Sequence, residues 1–141
     1  MDGKEATALK TKGEIEADIS AAIIKFEKEY MGRGPDETKT FIIDDMVLVR
    51  LRGVLTPAEQ KLASAGDANG GRSLIKQVRS ELLERGRVLL ENIVNEITGR
   101  RVTSLHTDIS TLTGERVIIF VLNEPVNAKA LRTWESFRRE Q

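Results

Sequence analysis

The 141-residue chain has no cysteine. That excludes a disulfide framework, thiolate metal sites and thiol nucleophiles, and it suits a reducing compartment. Aromatic residues are scarce: four Phe, one Tyr and one Trp, too few to supply the stacking rings that single-stranded nucleic acid asks for. An excess of one charge is also missing, since 22 basic residues balance 22 acidic ones, and no net field draws the chain to a polyanion. Nucleic acid is therefore disfavoured as a partner. No run approaches the ~18 apolar residues of a membrane span, and the N-terminus MDGKEATALKTKG has no signal-like apolar core. A soluble, cytoplasmic protein without membrane insertion is expected.

What is present fits one domain with its own core. Residues 101–124, RVTSLHTDISTLTGERVIIFVLNE, read as a β-hairpin. Its first arm alternates, Thr113-Gly114 makes the turn, and the six apolar residues 117–122 of the second arm are expected to be dry on both faces. A second hairpin is expected over 38–53, where Phe41 and Ile43, then Val47, Val49 and Leu51, follow a period of two around a tight Asp44-Asp45 turn. Arg50 and Arg52 alternate with Val49 and Leu51, which leaves one face of that arm to water or a ligand.

The helices carry their own start and stop signals. Thr11 and Glu14 have capping-box spacing, so a helix begins near Lys12, with Ile15, Ile19, Ala22, Ile23, Phe26 and Tyr30 on one stripe. Gly32, Gly34 and Pro35 end it. Thr56-Pro57-Ala58-Glu59 opens a short helix over about 57–65, and GDANGG at 66–71 is a flexible connection. The longest helix spans about 72–98, with Ile75, Val78, Leu82, Gly86, Leu89 and Ile93 stepping by three and four to Ile97. Leu83, Leu90 and Val94 widen that face enough to meet two neighbours. Gly86 costs about 1 kcal/mol against alanine in mid-helix, so it implies a close backbone approach or a bend. Gly99 stops the helix. Beyond Pro125, Asn127 caps a last helix over about 128–139, whose Leu131, Trp134 and Phe137 offer an aromatic edge.

Glu29-Tyr30-Met31-Gly32-Arg33 and Glu96-Ile97-Thr98-Gly99-Arg100 each close a long helix and precede a hairpin. Two similar halves would follow, although ordinary helix capping explains the match as well. The expected fold is α+β: two β-hairpins forming a four-stranded antiparallel sheet packed by two long helices. The domain organisation is a flexible N-terminus at 1–10, a single α+β domain at 11–125 and a C-terminal helix at 126–141.

Chemistry-bearing residues are few. His106 and Asp108 form H-x-D on one face of a strand, the material of a proton shuttle or half a metal site. A metal needs three or four ligands and no second histidine or cysteine exists, so a histidine bonded within the sheet or facing solvent is favoured. Asp44-Asp45 reads as turn chemistry, because adjacent strand residues point to opposite faces. Ser104, Ser110 and the neighbouring threonines form no triad. Gly32-Arg33-Gly34 offers amides and a forked cation to an anion, but it follows a helix C-terminus, where the dipole is unfavourable, and it lacks the G-x-x-x-x-G-K-[ST] pattern. Arg50, Arg52, Arg100, Arg101 and Arg116 would converge on one sheet edge or face if the two halves are related. The candidate ligand-binding residues are thus Gly32, Arg33, Gly34, Arg50, Arg52, His106, Asp108, Thr113, Gly114 and Arg116. No catalytic residue, metal ligand or cofactor is assigned.

GRGP at 32–35, TKTFIIDDMVLVRLRGVLTPAEQKLA at 38–63 and LHTDISTLTGER at 105–116 resemble the Na-translocating MpsC family, formerly a bacterial family of unknown function. The resemblance covers about residues 13–124. It implies association with a membrane-potential-generating or inorganic-carbon transport system, in which the MpsC-like member has no assigned reaction, and it brings no catalytic residues. The expected function is a cytosolic accessory or regulatory module binding a protein partner or small anionic ligand. Partners would be a second copy, with the second stripe of the long helix as the seam, or a membrane-transport protein. The alternatives are a metal- or His/Asp-dependent enzyme using His106 and Asp108, and nucleic-acid binding through the strand arginines.

Overall fold

The computed structural model describes residues 9–65 and 70–129. The helix expected over about 128–139 lies, past Lys129, outside the described residues, as do positions 1–8 and 66–69 of the expected flexible segments.

Helix α1 spans Lys12–Tyr30 and starts where the capping box places it. The Thr11 hydroxyl accepts from the Glu14 amide at 3.2 Å, and the Glu14 carboxylate accepts from the Thr11 amide at 3.1 Å. Strands β1 (Glu37–Ile43) and β2 (Met46–Arg52) follow. The two-residue Asp44-Asp45 turn is tight enough to hold Asp44 at φ 55°, a conformation aspartate tolerates better than most residues. A second capping box, at Thr56 and Glu59, opens α2 (Pro57–Ser64). Helix α3 covers Gly71–Thr98 and ends at Gly99, whose φ of 69° suits a left-handed cap. Strands β3 (Val102–Ile109) and β4 (Arg116–Leu122) complete the order.

All four strands form one antiparallel sheet in the order β1-β2-β4-β3, so the second arms of both hairpins lie in the middle. The fold is α+β. The helix-then-hairpin order occurs twice, but β3 carries a register shift between Val102 and Ser104 and α2 is present only between the halves. Descent of one half from the other stays an expectation.

Helices α1 and α3 cover one face of the sheet. Val47, Val49, Leu51, Ile118, Phe120 and Leu122 point into that layer and are buried, each contributing about 2 kcal/mol by leaving water. Ser20 on α1 bonds Thr40 on β1 through their hydroxyls at 2.7 Å. The two helices approach closely at Gly86, where an added Cβ would fall 2.6 Å from the Phe26 ring. Close approach, rather than a bend, is thus what the glycine provides.

Three expectations need correction. The buried stripe of α3 is Ile75, Arg79, Leu83, Gly86, Leu90 and Val94, whereas Val78 and Leu89 are 46% and 40% exposed. The helix is rotated by about one residue from the apolar reading because Arg79 takes a core position. The β3–β4 connection is a six-residue loop, 110–115, closed by Gly114 N–H to Ser110 O at 2.8 Å, rather than a bare Thr-Gly turn. Finally, β4 is dry on one face only. Ile118, Phe120 and Leu122 are buried, but Val117, Ile119 and Val121 are partly exposed, because no second layer covers their face among the described residues.

Candidate functional site

The loop after α1 is a latch. Gly32 adopts φ 79°, and Arg33 donates from Nη2 to Asp36 Oδ1 at 2.9 Å and from Nε to the Gly34 carbonyl at 3.4 Å. The Asp36 amide donates to the Arg52 carbonyl at 2.8 Å, and a Cβ on Gly53 would fall 2.0 Å from the Asp36 carboxylate. Arg33 therefore spends its charge on ordering the loop, with Gly32 and Gly34 serving its path.

At the same end of the sheet, Arg50 donates to Glu115 at 2.7 Å, and Arg52 lies 3.7 Å from the same carboxylate oxygen. Thr113 joins these three in lining a shallow depression. Gly114 offers its carbonyl to the Val54 amide at 3.1 Å. Nearby, a cleft of ≈ 350 Å³ lies between α2 and the 110–115 loop, lined by Gly53, Leu55, Gln60, Arg72 and Thr113 among others. Arg100 and Arg101 sit at the opposite end, where Arg100 donates to the Pro125 carbonyl at 2.8 Å and the Arg101 amide to Asn123 at 2.8 Å. The five strand arginines consequently do not converge. The length of the strands separates Arg100 and Arg101 from Arg50 and Arg52, and Arg116 lies on the covered face.

His106 and Asp108 share the uncovered face but not a common task. The His106 ring lies 3.2 Å from the Ser104 hydroxyl, and Asp108 accepts from its neighbour's amide at 2.9 Å while standing 3.3 Å from Lys76. The Ile109 amide and the Lys76 ammonium hold the Asp108 carboxyl below its ordinary range. Among the described residues no group of three or more His, Asp or Glu side chains could hold a metal ion.

Sequence reasoning missed a set of charges under the helices. Arg79, 2% exposed, grips Glu59 with Nε at 2.9 Å and Nη2 at 2.5 Å, and gives Nη2 also to the Val54 carbonyl at 2.8 Å. Burial acts to raise the Glu59 carboxyl, yet the bonds from Arg79 and Thr56 outweigh it and leave the group below its usual range. Arg116 is also 2% exposed and donates Nη1 to the Thr107 hydroxyl at 2.8 Å. Burial lowers its pKa, while Glu27 pulls the other way. Glu27, 2% exposed, is raised by burial against the attraction of Arg116 and Arg79. One signal could have exposed this set: Arg79 stands four residues from both Ile75 and Leu83 on a helix face.

The uncovered face of the sheet is where strand register collects apolar side chains. One row across it runs Ile43, Met46, Val121 and Ser104. The next runs Phe41, Leu48, Ile119 and His106, and the third Lys39, Arg50, Val117 and Asp108. Phe41 is 43% and Ile43 50% exposed, and the apolar members on β2 and β4 are partly exposed. An apolar centre on rigid strands, with cations on the β1–β2 side and Asp108 on the β3 side, is suited to holding another surface.

Residues 11–124 match the family described as Na+-translocating membrane potential-generating system (MpsC). The chain belongs to this family. Across 77 residues it is 49% identical to the uncharacterized protein YbcI of Bacillus subtilis (strain 168), which is 55% of this chain and 60% of that relative. The matched region thus spans less than two thirds of the relative's length. No solved structure matches. The MpsC stretches 38–63 and 105–116 meet where Leu51 pairs with Arg116 and where Leu55 and Thr113 line the same cleft. Among the described residues no helix of this MpsC member is long and apolar enough to cross a membrane.

Proposed function

We propose that this MpsC-family chain is a cytoplasmic accessory module that binds a protein partner through the uncovered face of its sheet. The observation that carries the reading is the contiguous apolar surface of Phe41, Ile43, Met46, Leu48, Ile119 and Val121, on strands rather than on loops. Contiguous apolar surface rimmed by polar groups marks an interaction site, and side chains fixed by a ladder lose little freedom when a partner arrives. The family description supports a setting beside a membrane potential-generating system. A small anion is the weaker ligand, since Arg33 holds Asp36, Arg50 and Arg52 share Glu115, and Arg116 lies under the helices.

The test is site-specific photocrosslinking in cells. A photoreactive residue at position 41 should yield discrete protein adducts, whereas one at Arg85, on the exposed side of α3, should not. Equal yields at the two positions, or no protein adduct at position 41, would overturn the reading.

A further inference from the structure

We infer that the surface seated on the uncovered face is a second copy of this chain, placed by a two-fold axis that runs parallel to the strands. The inference rests on the protein-docking reading above and names its partner.

Register makes the face self-complementary in one orientation. An axis along the strands, passing between β2 and β4, sets β1 of one copy over β3 of the other and β2 over β4, with rows kept level. Lys39 then stands over Asp108 of the other copy, Leu48 over Ile119, and Met46 over Val121. Phe41 covers His106, whose ring lies 3.2 Å from the Ser104 hydroxyl. An axis perpendicular to the strands would instead drop the charged row onto the Ile43 row, leaving Lys39 over apolar surface. The match of Lys39 to Asp108 therefore favours the first arrangement, in which Arg50 stands over Val117; either axis leaves the two sheets in aligned packing.

The existing partners of the two charges do not compete strongly. Lys39 lies 3.5 Å from Glu37, and Asp108 3.3 Å from Lys76 with its side chain 81% exposed; such surface pairs contribute little. The described C-terminal residues are a poorer occupant. Val126 and Ala128 pack against the core, and the Lys129 amide donates to the Lys10 carbonyl at 2.8 Å, so the described chain ends on the helix side of the sheet. The second stripe of α3, expected as a seam, is taken up by the chain's own core, where Leu83, Leu90 and Val94 are buried, and Arg85 stands between the exposed Val78 and Leu89. With strands ~4.8 Å apart and ~3.4 Å of rise per residue, the face projects roughly 450 Å² per copy. That is the low end of specific interfaces and fits a dimer that dissociates on dilution.

Sedimentation of the purified chain over a dilution series should show a monomer–dimer equilibrium. Ile119→Asp should weaken it by at least about a hundredfold, because each copy would bury an unpaired carboxylate. If that variant does not fold, Phe41→Asp on the edge strand gives the same readout. Lys39→Asp and Asp108→Lys should each weaken the dimer several-fold, and the double reversal should restore most of the loss. A wild-type chain that stays monomeric at its highest soluble concentration would overturn the inference, as would a dimer untouched by Ile119→Asp or a double reversal no better than the singles. A monomer whose position-41 crosslinks lead to a different protein would sink the second copy while leaving the docking reading intact.

Discussion

Arg116 and Ile119 stand three residues apart on β4 and point to opposite faces of the sheet. The arginine is 2% exposed beneath two helices, and the isoleucine is partly open to water. Across the molecule the same inversion holds: Glu27, Arg79 and Arg116 lie in the covered layer, while Phe41 and Ile43 lie outside it. Polarity alone does not sort residues here; layers do. A charge can stay inside because another charge or a carbonyl meets it, as Glu59 and Val54 meet Arg79. An apolar side chain outside has no comparable compensation in a lone molecule, and this contrast is what the proposed docking of a partner on the uncovered face would resolve.

The largest effect should come from prising the covered layer open. Gly86→Leu drives a side chain into the Phe26 ring, already 2.6 Å from where a Cβ would sit, and should lower unfolding stability in a urea titration by about 3 kcal/mol or more. A midpoint close to wild type would mean the helices are not closely packed there. Next, Glu59→Gln should cost about 2 to 3 kcal/mol near neutral pH by leaving Arg79 without its counter-charge. The folded-state carboxyl lies below its unfolded value, so its contribution is present above about pH 4.3 and is lost as pH falls through the depressed value. The gap between variant and wild type should accordingly close in acid, and a gap that persists there would assign the loss to packing instead. Smallest is Phe41→Ser, expected to change the stability of the monomer by less than about 1 kcal/mol. A loss as large as that of Glu59→Gln would show that the open face is packed after all.

Features settled by near neighbours could be read from the chain. The Thr11/Glu14 and Thr56/Glu59 boxes, the Asp44-Asp45 turn and the Gly99 stop involve residues within four positions of one another, and each lies where its chemistry requires. The core stripe of α3 was harder, because the burial of Arg79 depends on Glu59, 20 residues away. Without that partner, the Val78 and Leu89 face looks equally suited to the interior. Likewise the uninterrupted 117–122 run resembles a strand covered on both sides, and only topology reveals that one cover is absent among the described residues. Of the candidate ligand residues, Arg50, Arg52, Thr113 and Gly114 do gather at one end of the sheet. Arg33 and Arg116 had their places taken by Asp36 and by the helix layer, which no spacing announces.

The two rims of the sheet carry one more lesson. On β1 the Ile42 amide is already engaged by Glu16 of the overlying helix at 2.7 Å, and on β3 the Val102 amide is engaged by Asn95 at 2.7 Å. An unguarded margin invites ribbons from other molecules to stitch on without limit. With these two hooks occupied, the protein discourages sideways, fibre-like growth and can offer a sticky plane yet remain a finite particle.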